Sequence, residues 1–485
     1  MPDFPHLPLP KKISAKHKAQ KRRFEKSVSQ QTSDNLFNRK QHGRGLRNSV
    51  NQIADEWNNH LIARESEQLP ALPDSNIIPL FLQIDSKDFD TEQLYSFGIE
   101  VIAEEDGGFI IGASGDNFTS LKTKIADFIK KNGKFKNTAA KLWNIIEGNQ
   151  WRVDYILSDE LKEKWEDITD DEALLVDISV ACYVKISATP AKKRNESERQ
   201  FQRRYERWLE KKEILERQRG DLEMQRQDEL DAFITELEGE RKSDFVGYDD
   251  SFSCRVLFSG RALKDFVLSY QYLFDVSEYD DLTFEHPDTG EEEIIEVSFA
   301  APENNAPKIC VIDSGIQEEH RMITDAIDSA NSKSYILREA SVADMVPGGG
   351  HGTKVTGSIL FGNTIPKTGN HRHNLWIQNA KVLDNNGWLP EELYPPELMY
   401  NIVDDCHDVK IFNLSINSKR PCKTVHMSEW AGAIDIISHN KDKLFIISAG
   451  NINPTNPVPS NPGILQHLQA GRNYPQYLLE AASRI

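Results

Sequence analysis

Apolar positions follow three different patterns along the chain. Between Pro79 and Ser114 the runs "PLFLQID" and "IEVIAEEDGGFIIGAS" predict one buried strand and then two strands joined through "EEDGG", with a short helix opened near Asp90 in "FDTEQLYSFG" between them. Helices follow around "NFTSLKTKIADFIK" and "SDELKEKWEDI", the second with Ser158 as its N-cap, and "ALLVDISVACYVKI" reads as a further strand. Residues 195–240 change the pattern. Charge of both signs surrounds Phe201, Tyr205, Trp208, Leu209, Ile214 and Leu215, which gives a narrow apolar stripe on a long helix. Gly220 is a candidate interruption, and the a/d repeat is not sustained, so the expectation is a helical hairpin or arm rather than a coiled coil.

"DSFSCRVLFSGRALKDFVLSYQYLFDV" returns to strand and helix, and the acidic "SEYDDLTFEHPDTGEEEIIE" reads as a connector. Beyond it the pattern changes again: "KICVIDSG", "LWIQNAKVLD", "KIFNLSIN" and "KLFIISAGN" are short apolar runs separated by helical stretches. Such alternation predicts a parallel sheet covered by helices, an α/β architecture whose active site lies beyond the carboxyl ends of the strands. Asp313 in "VIDSG" and Asn451 in "ISAGN" both fall at such ends.

Length and composition divide this picture into regions. A chain of 485 residues accommodates two to four domains. The boundaries we read are a basic, largely disordered arm over 1–75, a small α+β region over 76–190, the charged helix over 191–245, a second α+β unit with its acidic linker over 246–300, and the parallel-sheet domain over 301–485. Residues 1–48 hold twelve Lys or Arg against three Asp or Glu, although the whole chain carries a net charge of −18. A solvated tail explains that arm better than a nucleic-acid contact, since no basic platform interleaved with aromatics accompanies it. Five scattered cysteines without a CxxC pair suggest neither a disulfide framework nor a zinc site and point to a reducing compartment. The N-terminal "MPDFPHLPLPKKISAKHKAQ" lacks the apolar run of a signal peptide, so the expected location is the cytoplasm, away from any membrane.

The chemistry gathers in the last third. A serine nucleophile needs a neutral base, and the base needs an acceptor that fixes its tautomer; His351 and Asp313 are suited to those two parts. The side-chain amide of Asn451 can donate to an oxyanion. Glycines around His351 in "GGGHGTKVTGSILFG" permit close backbone approach and open a helix. Other candidates read as structural. "HRH" at His371 to His373, with Cys406 and His407, fits no tetrahedral metal set and is expected in solvent-facing loops; Asp384 reads as a turn residue, and Glu291 to Glu293 lack a calcium-loop pattern.

Four stretches in order, "VIDSGI" (Val311 to Ile316), "HGTKVTGSI" (His351 to Ile359), "IFNLSIN" and "ISAGN" (Ile447 to Asn451), resemble the aspartate, histidine, substrate-strand and oxyanion-asparagine motifs of subtilisin-like (subtilase, S8-type) serine peptidases. The resemblance implies a subtilisin-like domain that hydrolyses peptide bonds through an Asp-His-Ser triad, with Asp313, His351 and Asn451 catalytic and Ser415, Asn417, Ser448, Ala449 and Gly450 lining the substrate site. Asn417 stands where the family has glycine. The family's "GTS-x-A-x-P" nucleophile motif is missing; Ser460 and Ser483, the serines after Asn451, lie in other contexts. We therefore expect a peptidase domain that stops short of its serine and is inactive by itself, or a non-catalytic subtilase-fold fragment that grips an extended peptide. The implied partners are a protein or peptide substrate and an AAA-type ATPase; no cofactor or catalytic metal is expected, and the resemblance leaves structural calcium open.

Overall fold

Strand pairing in the computed structural model sorts the chain by register. The structure describes residues 30–84, 99–105, 108–114, 118–131, 137–184, 186–187, 189–193, 196–279, 282–283, 296–347, 350–362, 364–418 and 427–448. They form two compact units, one within residues 13–278 and one within 279–485.

In the first unit, helices α1 (Gln30–Phe37) and α2 (Arg39–Ser66) precede an antiparallel sheet of β1 (Ile77–Ile84), β2 (Ile99–Glu105), β3 (Gly108–Ser114) and β4 (Leu142–Ile146), in the order β2-β3-β1-β4. The β1–β3 register pairs Ile77 with Ser114 through Gln83 with Gly108. Helix α3 (Thr119–Lys130) follows β3 as its sequence predicts, while the helix expected near Asp90 lies outside the described residues. The arm expected over residues 1–75 is corrected from residue 30 onward. Leu46, Val50, Ile53, Ala54 and Trp57 recur at helical spacing on α2 and are all buried. Arg39 adds to this anchoring, donating to the Phe128 carbonyl at 2.9 Å while its guanidinium stacks 4.5 Å from the Phe128 ring. Polar and charged residues at the intervening positions of the helix hide that stripe from a composition-based reading.

Helices α4 (Gln150–Ile156) and α5 (Asp159–Lys164) lead into β5 (Ala173–Ala181), and the Ser158 hydroxyl caps α5 by accepting from Leu161 N at 3.2 Å. Helix α6 (Glu198–Glu236) runs 39 residues from a capping box at Ser197 and Gln200. It is neither a hairpin nor interrupted: a Cβ at Gly220 would meet nothing within 4 Å, so the glycine costs propensity without forcing a break. Only its C-terminal part, through Leu230, Phe233 and Ile234, is buried. Two short strands, β6 (Glu240–Arg241) and β7 (Val246–Gly247), edge β8 (Ser251–Ser259), which is followed by α7 (Gly260–Ser269) and β9 (Leu273–Glu278). Strands β8 and β9 flank β5 in one antiparallel sheet. The segment expected to be a separate second α+β unit thus completes the sheet begun by β5, and all of this belongs to one hydrophobic core.

The second unit begins earlier than residue 301. Strand β10 (Leu282–Thr283) and strand β11 (Glu296–Ala300) are followed by the parallel-sheet strands β12 (Lys308–Asp313) and β13 (Lys333–Ser334). Helix α8 (His351–Phe361), β14 (Thr368–Arg372), β15 (Trp376–Lys381), helix α9 (Pro395–Asp405), β16 (Ile411–Leu414), β17 (Asn417–Ser418), helix α10 (Glu429–Lys441) and β18 (Leu444–Ile447) complete it. The order β13-β15-β12-β16-β18 is parallel throughout, as the alternating runs predict. Strand β11 pairs with β14, and β10 with β17. At the sheet edge, Leu444, Ile446 and Ile447 of β18 are exposed. His373 does not face solvent: it is buried and stacks on Phe299 with ring centroids 5.2 Å apart. No described helix is long and apolar enough to cross a membrane.

Candidate active site

Strand β12 delivers Asp313 to the carboxyl end of the sheet, between β15 and β16. Its side chain is 1 % exposed and its Oδ1 accepts from Ser314 N at 2.8 Å, Ser314 Oγ at 3.2 Å and His351 Nδ1 at 2.8 Å. Burying a carboxylate is costly unless donors converge on it; here Ser314 N and His351 Nδ1 do, while the single hydroxyl proton of Ser314 is shared between Asp313 and Asp344. His351 is the first residue of α8, with its side chain 16 % exposed. Because Nδ1–H donates to the carboxylate, the neutral ring keeps its lone pair on Nε2.

Glycine makes this approach feasible. A Cβ at Gly352 would lie 2.2 Å from the Gly315 carbonyl and 3.0 Å from Asp313 Cβ, and Gly315 itself has φ +100° with its backbone packed on Val342 and Ala343. Gly350, at φ +75°, leaves room for the carboxylate of Asp344, whose Oδ2 a Cβ would meet at 2.2 Å. Only glycine satisfies all three positions without strain or displacement of its neighbours.

Two charged groups that the sequence left without a role hold this corner. Asp344 is 2 % exposed and acts as the cap that Gly350 cannot supply: its Oδ2 accepts from Thr353 N at 3.0 Å and Thr353 Oγ1 at 2.9 Å, and its Oδ1 accepts from Ser314 Oγ at 3.0 Å. An anion at a helix start also complements the helix dipole. Lys381, at the end of β15, is fully buried and donates to Glu339 Oε1 at 2.7 Å and to the Ala343 carbonyl at 2.9 Å, next to Asp344.

A groove of about 410 Å³ lies beside the pair, lined by His351, Lys354, Val355, Ile359, Asn413 and Ser415, among others. The structure therefore brings together Asp313, His351 and Ser415 of the predicted set. Ser415 Oγ donates to Asn413 Oδ1 at 3.0 Å, and Ser448 N donates to the Leu414 carbonyl at 3.1 Å, just after β18. Asn417 enters the backbone ladder of β17 opposite Thr283. Ala449, Gly450 and Asn451 lie outside the described residues. Asp384 forms the turn expected of it, its Oδ1 accepting from Asn386 N and Trp388 N. No cluster of three or more His, Cys, Asp or Glu suited to a metal occurs among the described residues.

At the carboxyl edge of a parallel sheet, a buried aspartate thus accepts a hydrogen bond from the histidine that opens the following helix. Residues 304–474 match the model of the Subtilase family, so the C-terminal unit carries a subtilase-family domain, a domain of serine-type peptidases. The match covers less than half of the chain. A search of curated proteins finds no match.

Proposed function

We propose that the protein is a serine endopeptidase in which His351 is the general base, Asp313 orients and stabilises it, and Asn451 donates to the oxyanion. The carrying observation is the 2.8 Å contact between His351 Nδ1 and Asp313 Oδ1 at the carboxyl end of β12. In this reading Nε2 takes the proton of an attacking serine hydroxyl and returns it to the leaving amine, while Asp313 remains ionised and offsets the imidazolium. An extended peptide lies along the groove by Asn413 and Ser415, pairing with backbone after the manner of an added strand, and Ser448, Ala449, Gly450 and Asn417 complete its subsites. No serine of the 485 residues stands in a "GTS-x-A-x-P" context, so the reading leaves the attacking hydroxyl unassigned.

That same observation supports a second reading, a subtilase-fold protein that binds extended peptides without cleaving them. A fluorophosphonate probe and a casein digest separate the two, applied to the 485-residue chain and to a version extended in frame from the coding DNA. The peptidase reading expects labelling and digestion only in the extended form. Both should be lost in His351→Ala and Asp313→Ala, with the double variant little worse than either single one because the two act as a unit. An extended form that contains the serine motif yet cleaves normally as Asp313→Ala would sink the assignment. Labelling of Ser460 or Ser483 with casein digestion would relocate the nucleophile.

A further inference from the structure

Two of the cysteines that stand far apart in the sequence meet in the fold of the second unit. Cys310, in the middle of β12, is fully buried, with Gln378 of β15 and Phe412 of β16 as its neighbours across the ladders. Cys406 is the C-cap of α9 and is 3 % exposed. Their Sγ atoms lie 3.9 Å apart across 96 residues of chain, and both thiols are free. A disulfide needs a separation of about 2.0 Å, so the sulfurs must approach by about 2 Å. Side-chain rotation with a small movement at the end of a helix covers that distance, and helix ends open more readily than strands inside a sheet.

The two sulfurs are not equivalent. Burial raises the pKa of Cys310 and keeps it a thiol. Contact with Cys310 lowers the pKa of Cys406, and the Lys443 ammonium acts in the same direction, against burial and the carboxylates of Asp405 and Asp408. Lys443 is held near by donating to the carbonyls of His407, at 2.9 Å, and Val409. His407 and Asp408, which follow Cys406 in a turn, are exposed. Cys406 is therefore the sulfur nearer to solvent and the more readily ionised, and the thiolate is the nucleophile in sulfur chemistry.

We propose that Cys310 and Cys406 form an oxidation site, a dithiol that a small peroxide converts to a disulfide and that a thiol reductant reopens. The Cys406 thiolate attacks one peroxide oxygen, the O–O bond breaks and hydroxide leaves, giving a sulfenic acid on Cys406. Cys310 then gives up its proton as its sulfur displaces hydroxide from that acid and the S–S bond forms. The two thiols lose two electrons to the peroxide, and their two protons join the two hydroxides as two waters. A reducing compartment excludes lasting structural disulfides but not transient ones of this kind. The bond would close the ends of the segment that carries Asp313, Asp344 and His351, yet the inference rests on the fold alone and is independent of the peptidase reading.

Peptide mapping of the full, unaltered chain tests the proposal without relying on the folding of a variant. After hydrogen peroxide, alkylation in denaturant and tryptic digestion without reductant, one peptide pair joined through Cys310 and Cys406 should appear, lighter by two hydrogens than its separated parts and released by dithiothreitol. Cys182 and Cys254, buried in the first unit, should remain open to alkylation in the denaturant. In glutathione buffers brought to equilibrium, the native pair should stay half closed at a poise about tenfold more reducing than the same pair in urea, because the fold holds the sulfurs together. Failure of peroxide to form the Cys310–Cys406 link, conversion of Cys406 to a sulfinic acid in its place, or a link from either sulfur to Cys422 would each overturn the proposal. So would a native poise no more reducing than that in urea.

Discussion

The antiparallel sheet around β5 in the first unit and the parallel sheet of the second each bury an aspartate, and they use it in opposite ways. Asp177 sits mid-strand in β5, directly opposite Arg255 of β8, and the pair is bidentate: Arg255 Nε donates to Oδ1 at 2.7 Å and Nη2 to Oδ2 at 3.0 Å. Both oxygens are engaged by one rigid cation, so the pair fixes which residues face each other across the ladder. Asp313 sits at a strand end, where the next residues leave the sheet. Its Oδ1 gathers the N–H donors of Ser314 and His351, with a share of the Ser314 hydroxyl, and its Oδ2 has no partner among the described residues. A charge inside a sheet is used up in holding register, whereas a charge at its carboxyl edge can hold a titratable base against open space. Position within the strand, more than burial, separates the structural acid from the chemical one.

The sharpest way to break this contrast is Arg255→Met. It removes the bidentate cation from a buried carboxylate and should cost about 3–5 kcal/mol in urea unfolding, while Asp177→Leu combined with Arg255→Met should recover most of the loss. If the single variant were neutral, Asp177 would not depend on its partner and the register argument would fail. Next comes Gly352→Ala, whose new methyl must displace the Gly315 carbonyl. About 1–3 kcal/mol of destabilisation is expected, together with loss of the far-downfield imidazole proton of His351 in the NMR spectrum; retention of that resonance would show that α8 need not approach Asp313 so closely.

Asp344→Ala should cost about 1–2 kcal/mol as a lost helix cap and should broaden the His351 resonance without abolishing the fold. An unchanged spectrum would mean that Gly350 and the backbone start α8 unaided. The smallest effect is set in the first unit, away from either aspartate: Ser158→Ala should lose about 1 kcal/mol, read as a shift in denaturant midpoint at constant slope. A null result there would show that α5 is held by the packing of Leu161 rather than by its cap.

Four of the five parallel strands were legible because each is a short apolar run between turn signals; β13, a Lys-Ser pair, carries no such run and left no mark in the sequence. The Asp313–His351 pair was legible for a different reason, since glycines at fixed spacing from an aspartate and a histidine encode a close backbone approach. Asp344 and Lys381 carried no such mark. Asp344 caps a helix that begins seven positions further on, and Lys381 reaches Glu339 across 42 residues, so neither contact has a period or local spacing to betray it. The helix over Arg39–Ser66 was missed because charge counts averaged over its two faces conceal five buried apolar positions. Gly220 misled in the other direction: a residue that weakens a helix does not end one when its neighbours are strong helix formers.

The central place of β12 also sets a timetable for the nascent chain. It is the first strand of the five-stranded parallel sheet to leave the ribosome, yet its neighbours β15 and β16 begin only at Trp376 and Ile411. At about 5–20 residues per second, the roughly one hundred residues from Asp313 to Ile411 take on the order of 5–20 s to synthesise. Throughout that interval Cys310, Val311 and Ile312, which end fully covered, have no parallel partner on one side or the other. Yield in cells should therefore respond to translation speed and to the supply of holdase chaperones more than to the final strength of the sheet, because the vulnerable species is the one that exists before the sheet can close.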